Sequence, residues 1–348
     1  MRQTRRGREA KRMKLSPGKL KGLQAVSDSR GVIAAAAMDQ RGSLEKSLAK
    51  ESGKPTTPAM MEEFKSAVTR VLTPYASAIL LDPEYGLSAA RQRSDNAGLL
   101  LAYEKSGYDN THPGRLPDLL PHYSVRRLRD AGADCLKVLL YYTPFEKTEI
   151  NDQKHAFIER IGDECAACDI PFFLEFVGYD PAGGDEKGLE YARRKPEIVT
   201  RSMAEFSAAR YGVDVLKVEI PVNLKFVEGS PSCAAEKAYT RAEAIEHFRH
   251  AAAAAKRPFI YLSAGVSNAE FTSSLALAAE AGVPFSGVLC GRATWKDGIA
   301  VYAKQGLKAF EAWLATDGRR NIEAVNAALR PAQPWFRFFG AASAAALA

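Results

Sequence analysis

Eight short apolar runs recur along the chain, most of them separated by segments with helical spacing. They are Gly31–Met38, Ser77–Leu81, Gly98–Tyr103, Ala133–Tyr141, Pro171–Val177, Val213–Ile220, Pro258–Leu262 and Phe285–Cys290. Runs this uniformly apolar are strands buried on both faces, as in a parallel sheet covered by helices. Eight in succession predict an α/β fold of the closed (β/α)8 type, the TIM barrel. The competing arrangement is an open doubly wound sheet. That fold usually begins on a glycine-rich turn, and the chain has neither GxGxxG nor GxxxxGK.

The intervening segments agree. Pro58–Leu72, Asp152–Cys168, Ala242–Ala255 and Ala269–Ala281 carry apolar residues near helical spacing. Asp185–Arg210 has room for two helices, with a break expected near Pro196. Residues 84–97, 106–123 and 221–239 are rich in turn formers and read as loops. Long ordered loops on a barrel are usually functional. The expected organisation is a basic, disordered extension over 1–14, a single barrel domain over 15–335 and an Ala-rich tail over 336–348, frayed from Gly340 onward.

Composition narrows the function. No apolar run reaches membrane-spanning length, and none follows the basic N-terminal residues as a secretory signal would require. The net charge of +7 is concentrated in residues 1–14, which hold seven Lys or Arg and one Glu. The rest of the chain is nearly neutral, so nucleic acid is not an expected partner. Five scattered cysteines predict a reduced, cytoplasmic protein. Cys165 and Cys168 form a CxxC without a second ligand pair, so they read as helix-packing thiols rather than a zinc site. None of the five histidines falls at a strand end, and neither metal nor cofactor is expected.

Three of the apolar runs are interrupted by charge: Lys137, Glu175, and Lys217 with Glu219. A charge inside a buried strand is costly unless it is paired or used. Strand alternation puts Val215, Lys217 and Glu219 on one face, and sets Glu175 between the two lysines if these faces point inward. Adjacent strands are about 4.8 Å apart, so two lysine stems can close around a glutamate roughly 10 Å across. An ordinary lysine, with a pKa of about 10.4, must lose its proton to become a nucleophile. Burial and a neighbouring cation both favour that loss. Lys217 can supply the amine and Lys137 the neighbouring charge. A buried ion-pair network without chemistry is the competing reading.

In a barrel of this type the site lies at the C-terminal strand ends, and phosphate usually sits after strands 7 and 8. Those ends here carry Ser263-Ala264-Gly265 and Gly291-Arg292. Glycine lets backbone N–H groups approach phosphate oxygens, and arginine adds charge-assisted hydrogen bonds. At strand 1, Asp39 can hold a substrate hydroxyl and Arg41 a second anionic group, or the two can close a loop as an ion pair. Asp82 and Glu84 sit in Asp-Pro-Glu-Tyr-Gly, a good turn sequence.

Taken together these motifs resemble the class I tagatose-1,6-bisphosphate aldolases. The resemblance rests on Asp39-Gln40-Arg41-Gly42, Ala78–Gly86, Leu99–Lys105, Phe157–Gly162, Pro171–Glu175, Asp214–Glu219, Tyr261–Val266 and Gly287–Trp295, and it spans roughly residues 13–330. It implies a metal-independent cleavage of a ketohexose bisphosphate to dihydroxyacetone phosphate and glyceraldehyde 3-phosphate, as in lactose and galactose catabolism. By the family pattern Lys217 forms the Schiff base, Glu175 is the general acid/base and Lys137 assists. Asp39 and Gln40 contact substrate. Ser263, Gly265, Gly291 and Arg292 hold one phosphate, and Arg41 is the candidate for the other. The expected partners are a phosphorylated ketose and further copies of the chain in a homo-oligomer. Two alternatives stand beside this reading. One is an aldolase for a related substrate, such as fructose bisphosphate or a sulfonated ketose phosphate. The other is a regulatory barrel without catalysis. The basic residues 1–12, the loop Gly229–Lys237 and the segment after Arg330 depart from the family pattern.

Overall fold

The computed structural model describes residues 14–105, 107–108, 112–233 and 236–348. The expected disordered extension therefore lies outside the described residues except for Lys14. Eight parallel strands close into a barrel in chain order: β1 (Ile33–Met38), β2 (Ala78–Leu81), β3 (Gly98–Ala102), β4 (Cys135–Tyr141), β5 (Phe172–Val177), β6 (Val215–Val218), β7 (Phe259–Leu262) and β8 (Gly287–Cys290). β8 pairs back onto β1, with Ile33 opposite Gly287. This is the TIM barrel.

Alternation sorts the side chains into two cores. Ala35, Ala37, Ala78, Leu80, Leu100, Ala102, Cys135, Phe173, Val215, Ile260 and Leu289 fill the barrel interior. Small residues on β1 to β3 leave room for Phe173 from β5, which packs large against small in a closed space. The other strand faces pack outward onto helices such as Pro58–Leu72 and Thr148–Ala167. The first of these helices starts with Pro58 just inside its N-terminus, and the Thr57 side chain accepts from the Met60 N–H.

The break expected at Pro196 does not occur. A single helix runs Leu189–Phe206 with Pro196 inside it. Proline leaves the carbonyl four residues earlier without its helical donor. That carbonyl belongs to Ala192, and the Tyr239 hydroxyl donates to it at 2.6 Å. A hydroxyl from the loop after β6 thus replaces the missing backbone bond.

The C-terminal tail is not frayed either. The helix Pro17–Ala25 and the chain after Trp335 form a plug across the N-terminal end of the barrel, with Leu20, Leu23, Trp335, Phe339 and Leu347 all packed on the interior core. Leu15 N–H donates to Leu347 O at 3.0 Å. Lys19 pairs with Asp214 at 2.8 Å, and Asp214 also accepts from Phe172 N–H. Gly22 permits this close seating, because a Cβ there would come within 2.3 Å of Asp134 O.

Trp335 is fully buried in this plug. Trp335→Ala should lower unfolding stability by about 3–5 kcal/mol in a denaturant titration. A loss under 1 kcal/mol would show that the plug is not part of the core.

Candidate active site

Lys137, Glu175 and Lys217 each lie two residues beyond an interior core residue, namely Cys135, Phe173 and Val215. They therefore share the inward face at the C-terminal end of the barrel. Glu175 is in register with Lys217, whereas its partner on β4 is Leu139, so Lys137 starts two residues deeper. The long lysine stem makes up the difference. Glu175 Oε2 lies 2.7 Å from Lys137 Nζ and 2.8 Å from Lys217 Nζ. Lys137 Nζ also donates to Asp39 Oδ2 at 2.8 Å and to Glu104 Oε1 at 2.7 Å. Only 1% of Lys137 and 3% of Lys217 is exposed, so water supplies little of the solvation of either amine.

The electrostatics follow from this packing. Burial alone would push the Lys137 ammonium down, but Asp39, Glu104 and Glu175 outweigh it and hold the group well above its ordinary value. Burial likewise opposes ionisation of Asp39 and Glu175. Lys137, and after it Lys217, reverses that and keeps both carboxyls below their usual range. Fully ionised, the cluster of three carboxylates and two ammoniums carries an excess negative charge.

Glu104 stands at the end of the third predicted strand, and the sequence alone assigns it no role. It follows β3, two residues beyond Ala102 of the interior core, and alternation could have placed it there. Its signal was weak because it stands at the start of a long loop rather than inside an apolar run. Glu104 Oε2, Asp39 Oδ1 and Gln40 Oε1 are buried acceptors with no hydrogen-bond donor among the described residues. Acceptors of this kind around an amine suit a polyhydroxylated ligand, whose O–H groups can donate to them.

The remaining strand-1 and strand-2 candidates have mainly positioning contacts. Arg41 is only 6% exposed, and it donates to Glu84 Oε2 at 2.7 Å and to the Glu104 carbonyl at 2.6 Å. It thereby ties together the ends of β1, β2 and β3. Asp82 accepts from the backbone of Glu84 and Tyr85 and pairs with the buried Lys65, which also donates to the carbonyls of Met38 and Gln40. Glu219 turns away from Lys217. It pairs with Lys195 at 3.1 Å and accepts from Gly178 N–H at 2.8 Å. The alternation argument fails for Glu219 because β6 ends at Val218. Cys165 and Cys168 are buried free thiols at the end of the helix Thr148–Ala167.

At the ends of β7 and β8, Ser263 is buried and hydrogen-bonded to the Cys290 thiol, which burial pushes up to about 12. Gly265 adopts a left-handed φ of 79° and lies against Arg292, so that a Cβ on Gly265 would come 2.8 Å from the guanidinium carbon. Lys296 donates to Gly265 O at 3.0 Å and holds the turn. Gly291 abuts Ala37 O and the Gln40 side-chain amide. Ser263, Gly265, Gly291 and Arg292 thus gather at one rim, next to the β1 end that carries Asp39 and Gln40.

Residues 33–297 match the profile of a family described as DeoC/LacD family aldolase. The chain is 54% identical over 312 residues to tagatose 1,6-diphosphate aldolase 2 of Enterococcus faecalis, covering 90% of this chain and 93% of that one. It is 50% identical over 329 residues to a tagatose 1,6-diphosphate aldolase of Listeria monocytogenes, covering 94% and 96%. Among solved structures, the fold resembles fructose-bisphosphate aldolase from Plasmodium falciparum, with a TM-score of 0.63, 16% identity and coverage of 92% and 97%. A Schiff base forming fructose-1,6-bisphosphate aldolase superposes with a TM-score of 0.52 at 14% identity, over 88% and 99% of the two chains.

The charge cluster makes a prediction about pH. Asp39 and Glu175 have depressed folded values, so their contribution is present above the ordinary values of 3.8 and 4.5 and is lost as pH falls through the folded ones. Lys137 is raised, so its contribution is present below 10.5 and is lost as pH rises through its folded value. Lys137→Met leaves the carboxylates buried without their shared cation. It should cost about 3–5 kcal/mol at neutral pH, and the gap from the parent protein should narrow as pH falls, because carboxyls left to burial without Lys137 protonate before those of the parent. Denaturant titrations of both proteins across pH measure this, and a gap independent of pH would contradict it.

Proposed function

The chain belongs to the DeoC/LacD family of aldolases, and we propose that it cleaves D-tagatose 1,6-bisphosphate to dihydroxyacetone phosphate and D-glyceraldehyde 3-phosphate through a Schiff base on Lys217. The observation that carries this reading is the contact between Lys217 Nζ and Glu175 Oε2 at 2.8 Å inside the barrel mouth. It pairs a candidate nucleophile with a proton acceptor in a site largely closed to water.

In the proposed reaction Lys217 passes its proton to Glu175, and the neutral amine attacks C2 of the ketose. Glu175 gives that proton to the departing C2 oxygen, water leaves, and a protonated imine forms. The proton of the C4 hydroxyl goes to the Glu175 carboxylate, the C3–C4 bond breaks, and its electron pair flows to the imine nitrogen as an enamine. The aldehyde departs. Glu175 returns a proton to C3, and water then hydrolyses the imine to release the ketone and the free amine. The surplus of carboxylates around Lys137 favours the cationic imine over the neutral amine, because each negative charge is close and poorly screened.

Substrate binding divides between the two ends of the molecule. The turns of Ser263–Gly265 and Gly291–Arg292 bind one phosphate through backbone N–H groups and the Arg292 guanidinium. Asp39 and Gln40 take hydroxyls, as their unpartnered acceptor atoms allow. The phosphates align C2 with the amine through binding energy remote from the reacting bond. A soluble chain acting in the cytoplasm as a homo-oligomer belongs to the same reading, and no helix among the described residues is long and apolar enough to cross a membrane.

Reduction with borohydride in the presence of dihydroxyacetone phosphate should attach the three-carbon unit to the peptide bearing Lys217. Lys217→Met should lose the label and at least about 10³-fold in turnover, while Glu175→Gln should lower kcat by roughly 10²–10⁴-fold. Label on a different lysine, or cleavage that persists in Lys217→Met, would refute the assignment.

A further inference from the structure

We propose that Arg115 binds the second phosphate of the substrate, at the rim of the barrel opposite the β7 and β8 turns. The proposal rests on the bisphosphate reading above and extends it to a residue on a loop. In a closed ring of eight strands, β4 stands across from β8. A substrate anchored by one phosphate at Arg292 and bonded at C2 to Lys217 must send its far end towards that opposite side.

The structure places one guanidinium there, beside the acidic Glu104, Asp118 and Glu186. Lys137, Leu139 and Tyr141 of β4 point the same way by alternation, with Tyr141 nearest the mouth. Arg115 lies above them, 5.4 Å from the centre of the Tyr141 ring, and lines a cleft together with Glu104, Leu139 and Tyr108. Its guanidinium is also 5.0 Å from the Tyr108 ring and 4.8 Å from the Tyr179 ring. Aromatic faces hold a guanidinium in place while leaving its N–H edges available.

The segment carrying Arg115 is fixed from below. The Tyr179 hydroxyl lies 3.1 Å from Gly114 O and 2.7 Å from Glu146 Oε2, and it accepts from the buried Lys154 at 2.9 Å. Arg115 itself has a left-handed φ of 49°, a conformation that needs such support. Among the described residues its hydrogen bonds go to one group, the Glu186 carboxylate, with Nη2 at 2.5 Å and Nη1 at 3.3 Å. Phosphate presents the same pair of acceptor oxygens as a carboxylate and a larger charge. It can take the place of Glu186, whose side chain is 32% exposed and free to turn to solvent.

Arg41 is less suited to that role. Where Arg115 bonds, among the described residues, only a partly exposed side chain, Arg41 bonds Glu84 and also the main-chain carbonyl of Glu104, which cannot swing aside for a ligand. Its guanidinium is nearly closed to solvent, whereas the Arg115 side chain is 23% exposed at the cleft.

The test compares two aldehydes in the synthetic direction, both condensed with dihydroxyacetone phosphate by the full-length enzyme. Glyceraldehyde 3-phosphate carries the second phosphate and glyceraldehyde lacks it. Arg115→Met should reduce kcat/KM for the phosphorylated aldehyde roughly 10²-fold, mainly through KM, and leave the value for glyceraldehyde within about threefold. Arg115→Lys retains a point charge and should recover part of the loss. Equal losses on both aldehydes would assign Arg115 a purely structural role, and no loss on either would remove it from the site; both results overturn the proposal. Borohydride trapping with dihydroxyacetone phosphate alone separates the two levels of argument. Label on Lys217 in Arg115→Met upholds the Schiff-base reading whatever the ratio shows. Absence of label in the unmodified enzyme refutes that reading, and this proposal with it.

Discussion

A single carboxylate oxygen, Glu175 Oε2, stands between two buried ammonium groups, and the arrangement of the barrel mouth depends on it. Neither lysine is tolerable in that interior without a counter-charge, and Glu175 serves both. The register of β4, β5 and β6 makes this possible by setting Lys217 level with Glu175 and Lys137 one interior layer deeper. A slip of one residue on β5 would turn Glu175 into the apolar outer core and leave Lys217 without its carboxylate, with Lys137 reduced to Asp39 and Glu104. The same alternation that packs the barrel also aims Lys137, Glu175 and Lys217 into its mouth.

The cluster is asymmetric in a useful way. Lys137 has three carboxylate partners and Lys217 has one. A lysine held by three anions stays charged and acts as a fixed counter-ion. Among the described residues Lys217 is held by one carboxylate only, and that one is shared. Two residues of identical chemistry are thus separated into a structural cation and a candidate nucleophile by their neighbours alone. The outer ties from Arg41 to Glu84 and from Lys65 to Asp82 hold the strand ends against one another, so the buried acceptors of Asp39, Gln40 and Glu104 keep their spacing.

Much of this was legible in the chain. Eight apolar runs fixed the barrel because helices must cover a parallel sheet. Lys137, Glu175 and Lys217 were visible because charge inside an apolar run demands a reason. Glu104 and Arg115 were obscured because they belong to a polar loop, where a charged residue is unremarkable until its neighbours are known. The continuous helix through Pro196 depends on a hydroxyl donated by Tyr239, more than forty positions along the chain, and no local pattern contains that contact. Glu219 deceived the alternation rule because the strand stops one residue before it. The Ala-rich end looked too weakly apolar to hold, yet Trp335, Phe339 and Leu347 supply enough hydrophobic surface to seat it on the barrel.

The meeting of Leu15 with Leu347 also says something about topology. Their backbones are hydrogen-bonded on the face remote from Lys217, so a non-covalent contact brings the two ends of the folded barrel together. A short bridge could join those two points, and the polypeptide could be reopened in a solvent-exposed connection elsewhere, with the strand order around the ring preserved. For the same reason, a carrier or surface tether attached near either point would orient the mouth outward, towards incoming sugar.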